Sequence, residues 1–134
     1  MRASEFEGAE SDMTLQAHHN VTVIAGDAGQ NTVELSPTGS GWDIVSDRNA
    51  KENFQPLDCR ALLDKLAAIP VTTWNLKSQP PAVRHIGPMA QDFKAAFGVG
   101  EDDKHISTSD ADGVAFAAIQ GLYQALQDRE KEIA

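Results

Sequence analysis

The stretch SDRNAKEN, residues 46–53, lies between two parts of the chain that differ in pattern. Upstream of it, short strand-like segments alternate with Gly-containing turns, and downstream of it helical and strand-like patterns follow one another. Within the stretch, Ser46 and Lys51 are five residues apart. A serine and a lysine can act as nucleophile and general base without a histidine or an aspartate, provided that the lysine is neutral. By itself this spacing is a weak indication, because most such pairs are solvated loop residues.

Size and charge narrow the classes of function. A chain of 134 residues, 41% of them hydrophobic, is long enough for one globular domain, or for a small domain with a dependent extension. The formal net charge of −9 argues against nucleic acid or an anionic membrane as a partner. Cys59 is the single cysteine, so no intrachain disulfide can form, and it is predicted to be a packed core thiol. We find neither a signal-peptide pattern nor an apolar run of membrane-spanning length.

Residues 1–45 are predicted to form a β-rich arm. Alternating apolar and polar residues predict short strands at 13–17, 21–24, 32–35 and 42–45. Strands this short cannot bury a sheet face by themselves, so we expect the arm to pair either with the following domain or with copies of itself. His18 and His19 are adjacent and would point to opposite faces of a strand. They are therefore interpreted as polar strand-end residues rather than as metal ligands.

Residues 46–134 are predicted to form a small mixed core of helices and strands, which makes the fold class α+β. Apolar residues at helical spacing predict helices at 56–69 and 89–97. Strands are predicted at 71–76 and 105–108, and the charged segment 100–104 is predicted to be a solvated turn. A long final helix is predicted from about 111 to 133.

The final helix carries a second pattern that is typical of a coiled coil. Apolar residues recur at alternating spacings of four and three, which is the rhythm of positions a and d. The pattern favours self-association along this helix, while an ordinary amphipathic helix packed on its own domain remains the alternative. The positions are Ala115, Ile119, Leu122, Leu126 and Ile133, with Arg129 as a polar member.

Several segments together resemble a known family. The stretch 46–53 resembles the Ser-Asp-x-Arg-x-Lys signature that opens the intramolecular chaperone domains of endosialidases and other phage tail spikes and fibres, peptidase family S74. Arg48 stands one residue earlier than the family's arginine, but the distance from serine to lysine is unchanged. Residues 85–92 resemble the family's Gly-x-x-Ala-Gln-Glu/Asp segment, and residues 112–115 resemble the start of its terminal helix. The resemblance extends from about residue 41 to residue 134.

The resemblance implies a function for each part of the chain. Residues 46–134 would be an intramolecular chaperone domain that assembles a homotrimer, and residues 1–45 would be the end of the trimeric β-fibre upstream. The domain would act on its own chain as an autocatalytic serine endopeptidase, with Ser46 as nucleophile and Lys51 as general base. Whether the bond before or after Ser46 is cut stays open. The final helix, about 111–133, would form a trimeric coiled coil.

The same resemblance implies that no cofactor, metal, nucleic acid, membrane or small-molecule substrate takes part. It places the protein in a virion tail fibre or spike, or in a bacterial surface or prophage protein, made in the host cytoplasm.

Three further residues are candidates for supporting roles. Arg48 would be a cation that disfavours a protonated Lys51, whereas Asp47 would act in the opposite sense unless its carboxylate points elsewhere. Gln91, or backbone N–H groups near Asn49, would stabilise the oxyanion.

The sequence is compatible with two functions. The alternative to autoproteolysis is a non-enzymatic trimerisation or capping module, in which the Ser46–Lys51 dyad is inactive or the chain stays uncut. A diffusible hydrolase fits poorly, because the sequence has no Gly-x-Ser-x-Gly, His-Glu-x-x-His or phosphate-binding loop.

Overall fold

The computed structural model describes residues 18–25 and 31–134, and the predicted strand at 13–17 lies outside them. The chain divides into two compact units, the first ending at Phe54 and the second beginning at Gln55. The described elements are short strands and three α-helices, the last of them long. The predicted α+β class is therefore confirmed. The predicted division into a β-rich arm of residues 1–45 and a domain of residues 46–134 stays a prediction.

The first unit contains a three-stranded antiparallel sheet. Strand β1 is Val21–Ala25, β2 is Asn31–Leu35 and β3 is Trp42–Ile44, in the order β1-β2-β3. These bounds confirm three of the four predicted strands of the arm. Between β2 and β3 the chain turns through Ser36–Gly39, where the Gly39 N–H donates to the Ser36 carbonyl at 3.0 Å.

Successive rows of paired residues differ in polarity where the side chains are described, and residues paired in register point to the same side of the sheet. Two rows of paired residues, Val21–Leu35–Trp42 and Val23–Val33–Ile44, are apolar, whereas the row between them is Thr22–Glu34–Asp43. The apolar side is only partly covered: Val23 is 58% exposed and Trp42 is 54% exposed, whereas Val21, Val33 and Leu35 are half-buried. This agrees with the expectation that strands this short do not bury a sheet face alone.

The second unit begins with helix α1, Cys59–Ala68. It starts later than predicted because the side chain of Asp58 accepts the Ala61 N–H at 3.0 Å and so caps the helix there. Strands β4, Thr72–Trp74, and β5, His85–Gly87, then form an antiparallel pair. Strand β5 was not predicted, since three residues give too short a pattern to detect.

Helix α2, Ala90–Phe97, ends as predicted at Gly98, whose φ of 67° lies in the left-handed region that glycine adopts without steric cost. Helix α3 is Thr108–Ile133. The predicted strand at 105–108 is wrong. Ser107 instead caps α3 by accepting the Asp110 N–H at 3.0 Å, so the chain turns into the helix at this point.

The charged segment before α3 is an exposed turn, as predicted, and Asp102 organises it. Its carboxylate accepts the backbone N–H groups of Lys104 at 2.8 Å and of His105 at 2.9 Å. The Lys104 N–H, followed by the His105 ring, holds the pKa of Asp102 below its ordinary value of 3.8.

The core of the second unit lies between α1 and α3, with α2 packed against it. Cys59 is partly buried against this core, as predicted for a packed thiol. The ion pair between Arg60 and Asp128, at 2.8 Å, also joins α1 to α3, but both side chains are exposed and its contribution is small. The buried side chains are Leu62, Phe93, Val114, Ala117 and Ala118.

At Gly121, helices α1 and α3 lie in close contact. A Cβ at this position would collide with the carbonyl oxygen of Cys59 and would lie 3.2 Å from Leu63 Cβ. A glycine inside a helix lowers the stability of the helix by about 1 kcal/mol relative to alanine. At position 121 the absence of a side chain allows the two helices to pack closely.

We therefore expect Gly121→Ala to lower the free energy of unfolding by about 1–3 kcal/mol, because overpacking outweighs the gain in helix propensity. Gly113→Ala is the matched control, since it lies in the same helix with no atom within 4 Å of a Cβ. It should raise stability by up to about 1 kcal/mol. Urea unfolding followed by circular dichroism measures both. Equal effects of the two substitutions would contradict the packing role of Gly121.

Among the described residues, no helix is both long and apolar enough to cross a membrane.

Candidate functional site

The stretch 46–53 contains a single 3₁₀ turn, Arg48–Ala50, shortly after β3. The Ala50 N–H donates to the Asp47 carbonyl at 3.1 Å, and the Lys51 N–H donates to the Arg48 carbonyl at 3.2 Å. A 3₁₀ turn rises only about 2 Å per residue, so the residues on either side of it stay close in space. Ser46 precedes the turn and Lys51 follows it.

The turn brings together the two residues that the sequence predicts as a dyad. The Lys51 Nζ donates a hydrogen bond to the Ser46 Oγ at 2.6 Å. At this separation the Ser46 hydroxyl can transfer its proton to the Lys51 amine once that amine is neutral. Both side chains are exposed in the single chain. The geometry is that of a nucleophile and its base, while their catalytic roles stay a prediction.

The side chain of Asp47 is hydrogen-bonded to Asn49, the middle residue of the turn. Its Oδ1 accepts the Asn49 N–H at 3.0 Å and lies 3.3 Å from Asn49 Nδ2. The carboxylate therefore caps the turn. A lysine base at position 51 requires that this carboxylate be engaged elsewhere, because a nearby negative charge favours the protonated amine. Sequence reasoning missed this capping contact, although an aspartate two residues before its backbone partner is the usual pattern of an Asx turn.

The remaining residues of the stretch are also exposed, except Ala50, which is half-buried. Arg48 occupies the first position of the turn, and its role as a neighbouring cation stays a prediction. Asn53 has a φ of 56°, in the left-handed region that asparagine tolerates better than most residues. No other non-glycine residue in the described part of the chain has a positive φ.

Gln91 lies in the second unit, in the first turn of α2, whereas Ser46 lies in the first. Its side chain is exposed and lines a cleft of about 550 Å³ together with Trp74, Met89 and Lys104. Its predicted contact with an oxyanion next to Ser46 stays a prediction.

Helix α3 presents two different apolar faces. Val114, Ala117, Ala118 and Gly121 are buried and form the face that packs on α1. At about 100° of rotation per residue, the predicted a and d positions lie on a face roughly 100° away from this one. They are exposed in the single chain: Ile119 by 64%, Leu122 by 50%, Leu126 by 54% and Ile133 by 86%, and Ala115 is exposed too.

The separation of the two apolar faces of α3 argues against an ordinary amphipathic helix as the explanation of the heptad pattern. The residues that pack α3 on its own unit are not the heptad residues, so packing within the unit does not account for the heptad pattern. The coiled-coil trimer itself stays a prediction.

Within the described ranges, no group of three or more His, Cys, Asp or Glu side chains is placed to hold a metal ion.

One segment of the chain, which contains the Ser46–Lys51 pair, is similar to a known protein family. Residues 46–99 match the family model of the chaperone of endosialidase, Peptidase_S74. The match begins at Ser46 and includes Lys51 and Gln91, and it confirms the predicted resemblance over this segment. It is shorter than the predicted resemblance, since residues 41–45 and 100–134 lie outside it. No curated protein and no solved structure gives a significant match.

The family match supports an intramolecular chaperone role in general and is consistent with autoproteolysis. Helix α3 and the three-stranded sheet lie outside the matched residues.

Proposed function

We propose that this protein is an intramolecular chaperone that assembles as a homotrimer and then releases itself from the β-structured chain upstream by cutting next to Ser46. The observation that carries the proposal is the hydrogen bond of 2.6 Å between Lys51 Nζ and Ser46 Oγ. It joins the two residues that the family pattern pairs, at the first residue of the matched segment. The known setting of the family in phage tail fibres makes a virion fibre or spike the corresponding location.

Ring size favours the bond between Val45 and Ser46 as the one that is cut. The Ser46 Oγ reaches the Val45 carbonyl carbon through a five-membered ring, whereas attack on its own carbonyl would need a strained four-membered one. As the Val45 carbonyl is attacked, Lys51 takes the hydroxyl proton and passes it to the Ser46 nitrogen, so that the C–N bond breaks and an ester forms. Water then hydrolyses the ester, which leaves a carboxylate on Val45 and restores the Ser46 hydroxyl beside a free amine.

The reaction requires a neutral amine, and an amine fully exposed to water is almost entirely protonated at neutral pH. Both members of the dyad are exposed in the single chain. Covering them with neighbouring chains would remove water and favour the neutral amine. Cutting would then follow assembly, so that only correctly assembled chains are released.

The exposed heptad face of α3 supplies the surface for assembly. Its a and d residues lie on one side of a helix of 26 residues, long enough for more than three heptads. Three such helices can bury these side chains against one another while each keeps its other apolar face on α1.

The exposure of Ser46 and Lys51 also favours a second candidate function, a trimerisation or capping module that is never cut. It shares the homotrimer and the upstream β-structure with the first and differs only in the chemistry at residues 46 and 51.

The purified chain should separate into two fragments at Val45–Ser46, as seen by mass spectrometry under denaturing conditions. Ser46→Ala and Lys51→Ala should each abolish the cut, because one removes the nucleophile and the other the base. Lys77→Ala is the control, since it removes an exposed lysine elsewhere. If Lys51→Ala cuts at the normal rate, the dyad assignment is wrong. If the unsubstituted chain stays whole, the second candidate is favoured.

The double substitution Leu122→Glu and Leu126→Glu should convert the trimer to monomers, because it places charges in the centre of the proposed interface. Sedimentation equilibrium measures the mass directly. Gln124→Glu together with Gln127→Glu adds the same charge at two exposed positions outside the predicted a and d set and should leave the trimer intact. A double leucine variant that remains trimeric would exclude α3 as the assembly surface.

In the monomeric leucine variant the cut should be at least about tenfold slower, if covering the dyad is what lowers the population of protonated lysine. Cutting at the same rate by the monomer would show that assembly does not control the reaction.

A further inference from the structure

Asp47 caps the turn between Ser46 and Lys51. It stands between the nucleophile and the turn, and its side chain accepts the Asn49 N–H at 3.0 Å. Its own carbonyl accepts the Ala50 N–H at 3.1 Å. The first turn of a helix leaves backbone N–H groups without partners inside the helix, and a capping side chain satisfies one of them.

The contact sets the distance within the dyad because the turn is so short. A turn of three residues is held by few backbone hydrogen bonds, and such turns are marginal without further support. The cap fixes the backbone of Asp47 in an extended conformation, with φ −66° and ψ 132°. Ser46 is bonded directly to Asp47, and Lys51 directly follows the turn. A change in the cap therefore changes the separation of Oγ and Nζ.

We propose that Asp47 is a positioning residue of the Ser46–Lys51 dyad, acting through the Asn49 N–H rather than through its charge. This inference rests on the proposed function, because it assigns a role within the same reaction. The charge of a carboxylate near a lysine base favours the protonated and inactive form of that base. The contribution of Asp47 is therefore the hydrogen-bond acceptor, which an uncharged side chain can also supply.

Substitutions at position 47 separate the acceptor from the charge. Asparagine caps as well as aspartate, whereas alanine has no acceptor. We expect Asp47→Ala to slow cutting about tenfold, the usual scale of a lost cap, and Asp47→Asn to stay within about twofold of the unsubstituted chain. Asn49→Ala keeps the backbone donor and loses only the longer side-chain contact, so it should also stay within about twofold.

Glu52→Ala is the control for charge, because it removes a carboxylate on the other side of Lys51 without touching the cap. It should not slow cutting. If Asp47→Asn is as slow as Asp47→Ala, the charge of Asp47 matters and the proposal is overturned. The same conclusion follows if Asp47→Ala cuts as fast as Glu52→Ala.

A structural measurement keeps this test separate from the proposed function. In the full chain carrying Ser46→Ala, which cannot cut, NMR should show contacts between the methyl group at position 46 and the side chain of Lys51. Adding Asp47→Asn should preserve these contacts, and adding Asp47→Ala should remove them. Their persistence with Asp47→Ala would overturn the positioning role. If the unsubstituted chain does not cut, the proposed function fails, whereas this measurement still decides whether Asp47 sets the geometry.

Discussion

The close approach of α1 and α3 at Gly121 determines which surfaces of the second unit are left uncovered. Because the residue at this position carries no Cβ, the backbone of α1 at Cys59 lies directly against α3. The buried positions of α3 are accordingly small or compact: Val114, Ala117, Ala118 and Gly121. The bulky side chains of the same helix then point elsewhere. The heptad leucines and isoleucines are exposed because they lie on a different face of α3 from the residues that pack on α1.

In the first unit, a single short turn positions the two residues of the candidate site. One 3₁₀ turn, stabilised by a side chain two residues away from its partner, brings a hydroxyl and an amine to 2.6 Å. The site requires no distant part of the chain to form this contact. What the single chain does not supply is burial, since both side chains are exposed. In the single chain, the Ser46 hydroxyl and the Lys51 amine are therefore already within hydrogen-bonding distance, and both are accessible to solvent.

The sequence predicted the local features well because their causes are local. The Ser46–Lys51 contact depends on a turn of a few residues, and the heptad pattern of α3 depends on spacing within one helix. The failures also have physical causes. The segment 105–108 has a strand-like composition, but the Ser107 cap starts a helix there, and β5 exists only through its pairing with β4. A part for Gln91 at the site would need a contact far along the chain from Ser46, which residue spacing does not predict, and it stays a prediction.

The two-sided sheet of the first unit limits how copies of this chain can add to one another. Val21, Val33 and Ile44 lie on one side, and Glu34 and Asp43 lie on the other. Copies that meet through the apolar side turn their carboxylates outward, and a further layer would have to place like charges against each other. The described part of the sheet therefore offers one side for apolar contacts, and repulsion between carboxylates disfavours stacking through the other.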